Sequence, residues 1–297
     1  MKYGIALPIW RLSVAEAETL TLKAEELGLD GVLIPDHILA PPATVKNYGP
    51  NWPDHFALLA YLAARTSRIQ LGTTATILPY RNPVVTAKAA ATVDQVSAGR
   101  FIFAVGVGWD EEEFRDLGIP FAERGQMADE YLRIIKAVWT SDLPSFQGRY
   151  FSFSDAAFAP RPVQQPHPPI WVSGSVFVLT RVSIRRAAAL GDAWHPYHLS
   201  LDDLERGAAM LREEAGKVDR RDGPGLAPRN LLDLTEAAKG EDRGAFQGSP
   251  EEVAADIRRA ESIGAHYTVL DVFSRPDVPN MVQLMERFVK EVKPAVA

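Results

Sequence analysis

The sequence predicts an α/β protein in which parallel strands alternate with helices. Short apolar runs typical of buried strands are followed by longer runs with helical periodicity, and this alternation occurs eight times. A chain of 297 residues, 46% of them hydrophobic, is long enough to bury the core of an α/β barrel as one domain. Eight such units favour a closed (β/α)8 TIM barrel over an open sheet, although the pattern alone does not separate the two.

The predicted strands are rich in apolar residues and cover 4–7, 31–35, 68–74, 101–106, 170–173, 193–194, 231–235 and 267–272. The predicted helices cover 14–27, 54–65, 84–97, 126–139, 179–190, 201–218, 250–263 and 281–292. Ser13 lies where its side chain can cap the first of these helices. We therefore expect residues 1–297 to form a single domain.

Two stretches interrupt the alternation. Residues 141–169 contain six prolines, which excludes a continuous helix, and the stretch far exceeds the roughly 2–6 residues that usually connect elements in α/β units. We interpret it as an insertion. Residues 217–229 contain glycines and prolines at 223–225 and 228 and are expected to form a surface loop that carries little chemistry.

The composition excludes several classes of function. The chain has no cysteine, so it cannot contain disulfides, thiolate metal sites or a cysteine nucleophile. The net charge of −6 argues against nucleic acid or an anionic membrane as the partner. No run of about 18 apolar residues could span a bilayer, and no signal-peptide pattern follows Met1. We expect a cytoplasmic protein that acts on a small molecule.

Asp36 and His37 follow the second predicted strand, at the end of a barrel where catalytic groups gather. Histidine titrates near neutral pH and an adjacent carboxylate can orient its ring, which suits general acid–base catalysis. The alternative is that Asp36 only caps the loop and His37 is an ordinary packing residue. Glu113 is a further candidate acid.

The fourth predicted strand runs into Gly106 and Gly108, which are followed by Trp109 and acidic residues at 110–113. A strand that ends in glycines lets a flat ligand lie against bare backbone, because no Cβ stands in the way. Trp109 could form a wall beside an aromatic ligand. The same residues also fit a plain strand-to-helix turn whose acidic side chains favour a helix N-terminus. The dinucleotide fingerprint lacks its third glycine here.

Five segments, in this order, resemble the bacterial luciferase-like flavin and deazaflavin oxidoreductases, most closely the branch that uses coenzyme F420. They are residues 71–83 (LGTTATILPYRNP), 94–100 (DQVSAGR), 100–114 (RFIFAVGVGWDEEEF), 169–175 (PIWVSGS) and 190–196 (LGDAWHP). The resemblance covers about residues 3–194 and weakens afterwards. It implies a closed barrel, an insertion at 141–169 that covers the barrel mouth, a deazaflavin coenzyme and a homodimer.

The resemblance also implies roles for individual residues. Asp36-His37 matches an Asp-His pair that lies beside the reactive carbon of the coenzyme ring in similar proteins. The bond between Thr74 and Ala75 matches a non-prolyl cis peptide that supports the face of the ring. Trp194 is a candidate for binding the coenzyme, together with the glycines and Trp109.

Ser173, Gly174 and Ser175 are expected to hold the coenzyme phosphate, because free backbone amides before a helix form an anion site. The chain departs from the family pattern after this point. It is about four residues longer before the segment 188–192, and residues 176–178 are apolar where small polar residues are usual. Arg181, Arg185 and Arg186 follow as spare cations near the site.

Other functions remain open from the sequence. The nearest is an FMN-dependent monooxygenase, since FMN also carries a ribityl phosphate, and another is a coenzyme-binding protein without activity in which residues 176–178 close the site. A lyase or hydrolase barrel would need a lysine or metal cluster at the strand ends. His195 and His198 have a zinc-like spacing, but Pro196 between them argues against a metal site.

The substrate cannot be read from the sequence. The loops at 38–53 and 141–169 would determine it, and they imply only an aromatic lining from Tyr48, Trp52, Phe146, Tyr150 and Phe151.

Overall fold

The computed structural model describes residues 1–176, 179–220, 223–240 and 242–296, apart from the side chains of Ser175 and Val176. Within these residues, the barrel has eight strands: β1 (Lys2–Ala6), β2 (Gly31–Ile34), β3 (Gln70–Thr73), β4 (Phe101–Gly106), β5 (Ile170–Val176), β6 (Ala193–Tyr197), β7 (Arg229–Leu231) and β8 (Tyr267–Asp271).

The eight strands close into a ring in chain order, and every pairing is parallel. The ring closes where Lys2 of β1 lies opposite Tyr267 of β8. The predicted TIM barrel is therefore confirmed. The main differences lie in the second half, where β6 is longer than predicted and β7 begins two residues before the predicted start at 231.

The helices that follow the strands lie around the barrel: α1 (Val14–Glu26), α2 (His55–Arg65), α3 (Pro83–Val96), α4 (Arg124–Thr140), α5 (Arg181–Leu190), α6 (Leu201–Lys217), α7 (Pro250–Ile263) and α8 (Val278–Arg287). Ser13 caps α1 in a reciprocal capping box with Glu16, as predicted. Two short helices, Pro42–Tyr48 and Glu111–Asp116, lie in the loops after β2 and β4. In the described parts of the chain, no helix is long and apolar enough to cross a membrane.

Side chains alternate between the two faces of each strand, which gives the protein two apolar layers. The inner layer fills the barrel and comes from alternate strand residues such as Leu33, Ile102 and Trp171. The outer layer lies between the strands and the helices, and residues such as Val32 and Phe103 belong to it. This alternation decides which residues at the strand ends can reach the barrel mouth, the end of the barrel where the strands finish.

Residues 141–169 include a short hairpin, Phe146–Gln147 paired with Ser152–Phe153, which is attached to α4. Glu130 of α4 accepts hydrogen bonds from the backbone N–H groups of three hairpin residues at 2.7 to 2.9 Å. The hairpin aromatics pack with Met127, Tyr131 and Ile134 of α4. Phe146, Tyr150 and Phe151 were expected to line the substrate site, but their half-buried rings pack against α4 instead.

Candidate active site

His37 and Glu113 form a buried pair at the barrel mouth. The ring Nδ1 of His37 lies 2.6 Å from Oε2 of Glu113, and the two side chains are 6% and 0% exposed. A carboxylate oxygen accepts hydrogen bonds, so we assign the proton to Nδ1, which donates it. Nε2 is then the ring nitrogen that can exchange a proton with a bound molecule.

Glu113 is held by three further donors. Its Oε1 accepts from the backbone N–H groups of Ile38 at 2.8 Å and Leu39 at 3.0 Å, and its Oε2 accepts from the Tyr80 hydroxyl at 2.8 Å. Burial, together with the Glu113 charge, holds the pKa of Tyr80 well above its ordinary value, so the hydroxyl stays a donor. Four donors fix this carboxylate, and it in turn fixes the orientation of His37.

Asp36 does not orient His37, contrary to the expectation from the sequence. Neighbouring residues of an extended chain point to opposite faces, so His37 faces the mouth while Asp36 faces the helices. Its carboxylate accepts from both terminal nitrogens of Arg81, at 2.6 and 2.9 Å, and lies 3.2 Å from His55 Nδ1 without hydrogen-bond alignment. Burial raises the pKa of Asp36, but His55 and Arg81 outweigh it and hold that pKa well below its usual range.

The ends of β3, β4 and β5 meet in a surface of small residues. A Cβ placed on Gly106 would lie 3.6 Å from the Cβ of Ala75 and 3.9 Å from the Cβ of Ser173. We call Ala75, Gly106 and Ser173 the small-residue wall. The peptide bond between Thr74 and Ala75 is cis, as the resemblance implied. A flat ring can approach such a wall closely, because few side-chain atoms project from it.

Gly108 shapes the loop after β4 and does not belong to this wall. Its φ is +78°, and a Cβ there would come within 2.7 Å of the Phe114 ring and 2.9 Å of Ile77. Gly108 is therefore explained by the tight turn and not by contact with a ligand. The turn presents Trp109, which is 48% exposed and whose ring centroid lies 5.9 Å from that of His37. A ligand beside His37 would therefore lie within reach of Trp109.

The segment from Ser173 to Ser175 does not precede a helix directly. It continues β5, which runs to Val176, and α5 begins only at Arg181. The pairing with β6 shifts register between Ser173 and Val176, which places a β-bulge at Gly174 and Ser175. A bulge leaves backbone groups outside the ladder, so amides remain here without the predicted helix N-terminus. The side chain of Ser175 and residues 177–178 lie outside the described residues.

The arginines that follow are not spare cations. Arg181 lies 2.9 Å and Arg185 lies 3.5 Å from the carboxylate of Glu214 in α6, and Arg186 binds Asp129 in α4. The expectation that they remain available for a phosphate is wrong, because acidic residues of the neighbouring helices already pair with them.

Trp194 does not line the mouth either. Its ring belongs to the outer layer and packs on Gly207 of α6, where a Cβ would lie only 2.3 Å from the ring. Side chains alternate along β6, so the residue that faces the inside of the barrel is His195 and not Trp194. The indole Nε1 of Trp194 is buried, has no hydrogen-bond partner among the described residues, and borders Gly174, whose Cβ would come within 3.4 Å of it.

Arg229 and Asp271 form a buried ion pair below the mouth that the sequence analysis missed. Arg229 donates to the Asp271 carboxylate, with a shortest distance of 2.6 Å, and its Nη1 donates to the Thr74 carbonyl oxygen at 2.8 Å. Burial lowers the pKa of Arg229, but Asp271 outweighs it and holds that pKa above its usual value. Residues 217–229 were expected to form a surface loop, which is wrong for Arg229, because this residue is buried and begins β7. Had the seventh strand been predicted to begin two residues earlier, Arg229 would have been its first residue.

Thr74 connects this ion pair to His195 and to the hydroxyl groups of the mouth, because its Oγ1 accepts from Arg229 Nη1 at 3.1 Å. Burial lowers the pKa of His195 to about 3, so its ring is neutral near pH 7. Its Nδ1 donates to the Ala227 carbonyl, so Nε2 accepts from Thr74 Oγ1 at 3.0 Å. The Tyr197 hydroxyl lies 3.1 Å from Ser173 Oγ and 3.3 Å from Thr74 Oγ1. The floor of the mouth is therefore a connected polar network.

No group of three or more histidine or acidic side chains in the described ranges is arranged to hold a metal ion. His195 and His198, the pair with zinc-like spacing, contact different partners. His195 Nε2 binds Thr74, whereas His198 Nε2 lies 2.9 Å from Asp271 Oδ2.

The sequence and the fold of this chain are similar to those of known proteins. The model of the luciferase-like monooxygenase family matches residues 1–235. An uncharacterized protein of Mycobacterium tuberculosis is 28% identical over 295 residues, which cover 93% of each chain. The FMNH2-dependent dimethylsulfone monooxygenase of Pseudomonas putida is 39% identical over 158 residues, which cover 52% of this chain and 42% of that protein.

Two solved structures share the fold. The monooxygenase RslO1 from Streptomyces bottropensis has a TM-score of 0.84 and 23% identity, with 100% of both chains covered. An F420-dependent secondary alcohol dehydrogenase has a TM-score of 0.82 and 19% identity, with 100% of this chain and 99% of that one covered.

Proposed function

The chain belongs to the luciferase-like monooxygenase family, and we propose that it is an F420-dependent oxidoreductase that transfers a hydride between the coenzyme and a small alcohol or carbonyl compound. The observation that carries the proposal is the His37–Glu113 pair at the barrel mouth. Oxidation of an alcohol removes a hydride from carbon and a proton from oxygen, so a residue that accepts the proton is required. His37 is the candidate for that role.

The proton reaches His37 at a defined atom. Because Nδ1 donates to Glu113, the substrate hydroxyl gives its proton to Nε2, and in the reverse direction the imidazolium returns it to the carbonyl oxygen. Glu113 faces the positive charge that then forms on the ring and keeps the ring in place. When bound, the deazaflavin coenzyme supplies the carbon that accepts or donates the hydride.

The residues of the mouth suit a flat coenzyme ring. The small-residue wall leaves room for a planar face, and Trp109 stands beside His37. The register shift between Ser173 and Val176 leaves backbone amides outside the ladder at the end of β5. These amides suit an anionic or carbonyl oxygen of the coenzyme, with no arginine of α5 required.

An FMN-dependent monooxygenase is the second candidate. The relative with 39% identity over 158 residues uses FMNH2, and that stretch supports the same coenzyme here. FMN and coenzyme F420 share a tricyclic ring and a ribityl phosphate, so the same wall would suit either. The structure of an F420-dependent secondary alcohol dehydrogenase shares the fold of this chain. His37 can accept the proton of a substrate hydroxyl, and this favours the first candidate.

Equilibrium binding of oxidised and reduced coenzyme F420 and FMN, followed by fluorescence, separates the candidates. We expect micromolar binding of the deazaflavin and negligible binding of FMN. A preference for FMN would move the protein to the monooxygenases. Binding of neither coenzyme would remove both candidates.

Substitutions then test the role of the pair. We expect His37→Ala and Glu113→Gln each to lower turnover by about 100-fold or more while the coenzyme Kd stays within about twofold. The matched control is Glu111→Gln, because Glu111 is exposed on the same short helix. Turnover that survives both substitutions would exclude His37 as the proton carrier.

A further inference from the structure

Aromatic rings form a continuous arc at the barrel mouth that includes His37. His37 lies between Trp109 and Trp52, with ring centroids 5.9 and 4.6 Å away. Trp52 is followed by Trp10 at 5.4 Å and then by Phe273 at 5.8 Å. We call these residues, with Tyr48 and His198, the aromatic arc; Tyr48 lies 5.2 Å from Trp10, and His198 stacks with Phe273 at 6.3 Å.

The aromatic arc is assembled from loops that follow five different strands. Trp10 follows β1, and His37, Tyr48 and Trp52 follow β2. Trp109 follows β4, His198 follows β6 and Phe273 follows β8. The segment after β2 also carries three exposed aliphatic residues, namely Ile38, Leu39 and Val45. With Tyr48 and Trp109, they make five large apolar side chains on these loops that are each 38 to 48% exposed. Exposed apolar side chains of this size suit a binding site for an apolar group.

The acidic groups beside the aromatic arc already have partners. Glu113 is held by four donors, Asp110 accepts from the Thr44 hydroxyl at 2.6 Å, and Asp271 pairs with Arg229. Two exposed cations lie in the loops that carry the arc: Arg11, which donates to the Phe273 carbonyl at 3.3 Å, and Lys46, which lies between Val45 and Tyr48 in the chain. Among the described residues, the buried cation below the mouth, Arg229, is already paired. A phosphate or carboxylate on the substrate would therefore meet aromatic rings and solvent-exposed cations, and pairing with exposed cations is weak because water screens it.

We propose that the aromatic arc binds the substrate, and that the substrate is an uncharged alcohol or ketone with an aromatic or bulky apolar group. This inference rests on the proposed oxidoreductase function, because it uses His37 as the group that meets the substrate oxygen. The apolar group lies against Tyr48 and Trp52, and the oxygen lies toward Nε2 of His37. The coenzyme occupies the other half of the mouth, against the small-residue wall.

Isothermal titration calorimetry on the full chain tests the proposal, without coenzyme and with saturating coenzyme. The probes are acetophenone and 4-acetylbenzoate, which share a ring and a ketone but differ by one carboxylate. We expect acetophenone to bind at least tenfold more tightly than 4-acetylbenzoate. Equal or tighter binding of 4-acetylbenzoate overturns the proposal. If Arg11→Gln then abolishes the binding of 4-acetylbenzoate, the substrate is an acid instead.

Variants locate the binding surface. We expect Tyr48→Ser and Trp52→Leu each to weaken acetophenone binding at least fivefold. Tyr61→Leu is the matched control, because Tyr61 is a similarly exposed aromatic residue on α2, and it should leave the Kd unchanged. Unchanged binding in both arc variants overturns the proposal.

Coenzyme titrations on the same variants keep the two conclusions apart. If a coenzyme binds but acetophenone does not, the inference about the substrate fails and the proposed function stands. If acetophenone binds at the aromatic arc but neither coenzyme binds, the proposed function fails and the inference that the arc binds uncharged aromatic molecules stands.

Discussion

The Nη1 atom of Arg229 lies 2.8 Å from the carbonyl oxygen of Thr74 and donates to it, which joins the start of β7 to the end of β3 across the barrel. The same guanidinium binds Asp271 at the end of β8. One buried side chain therefore connects three strands just below the residues proposed to meet the coenzyme. Arg229 therefore holds the residues below the mouth in place, and it affects the chemistry only through those residues.

Replacement of Arg229 by methionine should destabilise the protein strongly. The substitution leaves Asp271 as a buried charge without its partner, which typically costs about 3–5 kcal/mol of the free energy of unfolding. Urea unfolding at pH 7 measures it. The control is Arg206→Met, which removes an exposed pair with Asp203 and should change stability far less, because water screens exposed pairs. Equal losses in the two variants would contradict this role for Arg229.

Substitution of Asp36 by asparagine should affect stability and not proton transfer. Its carboxylate faces Arg81 and His55 on the helix side, so the variant loses a buried ion pair at a cost of about 3 kcal/mol in unfolding free energy. We expect turnover per folded molecule and its pH profile to remain within about twofold. Asp116→Asn, at an exposed position, is the control. A changed pH profile in a stable Asp36→Asn protein would return Asp36 to the catalytic group.

A valine at Gly106 should block the coenzyme while the barrel still folds. The Cβ would lie 3.6 Å from Ala75 and 3.9 Å from Ser173, which are ordinary contact distances, so the fold tolerates it. The added methyl groups, however, project into the small-residue wall, and we expect coenzyme affinity to fall at least tenfold. Fluorescence titration and thermal unfolding measure the two effects. Gly216→Val, where a Cβ meets nothing within 4 Å, is the control.

His195 should make stability depend on pH between about 6.5 and about 3. Burial lowers its pKa to about 3 in the folded state, so below 6.5 the unfolded chain binds a proton that the folded chain does not. Stability from this residue is complete above pH 6.5 and falls as the pH drops, by about 2 kcal/mol at pH 5. Urea unfolding at pH 7 and pH 5 should show a smaller difference for His195→Gln than for the unmodified protein. Identical differences would contradict the buried neutral ring.

The barrel was predictable because its signal is repeated. Eight alternations of buried strand and amphipathic helix leave few other folds, and a boundary error at one strand does not change the count. The same error mattered for the site, because placing the seventh strand at 231–235 put Arg229 in a loop. Of the predicted aromatic lining, Trp52 contacts Tyr48 and His37, and the role of these two aromatic residues at the substrate stays a prediction. The rings of the hairpin pack against the apolar face of α4 instead.

Residues at the site were harder to assign than the strands that carry them. His37 and Glu113 are 76 residues apart, and the side-by-side order of β2, β3 and β4 brings them within 2.6 Å. Sequence adjacency instead suggested Asp36 as the partner, but the alternation of an extended strand end turns neighbours to opposite faces. The same alternation turns Trp194 into the outer layer, although we expected it to contact the coenzyme. The register shift at Gly174 depends on how β5 meets β6, and no local sequence pattern predicts it.

The carboxylate of Glu113 also limits how the loops at the barrel mouth can move. It gathers hydrogen bonds from Ile38, Leu39, His37 and Tyr80, so the loops after β2 and β3 are tied to the loop after β4 through one negative charge. Their opening is therefore cooperative, and the amide protons of Ile38 and Leu39 should exchange with solvent deuterium at a common, slow rate. In Glu113→Ala, which removes both acceptor oxygens, the two amides should lose protection together, because the side chain that joins these loops is gone.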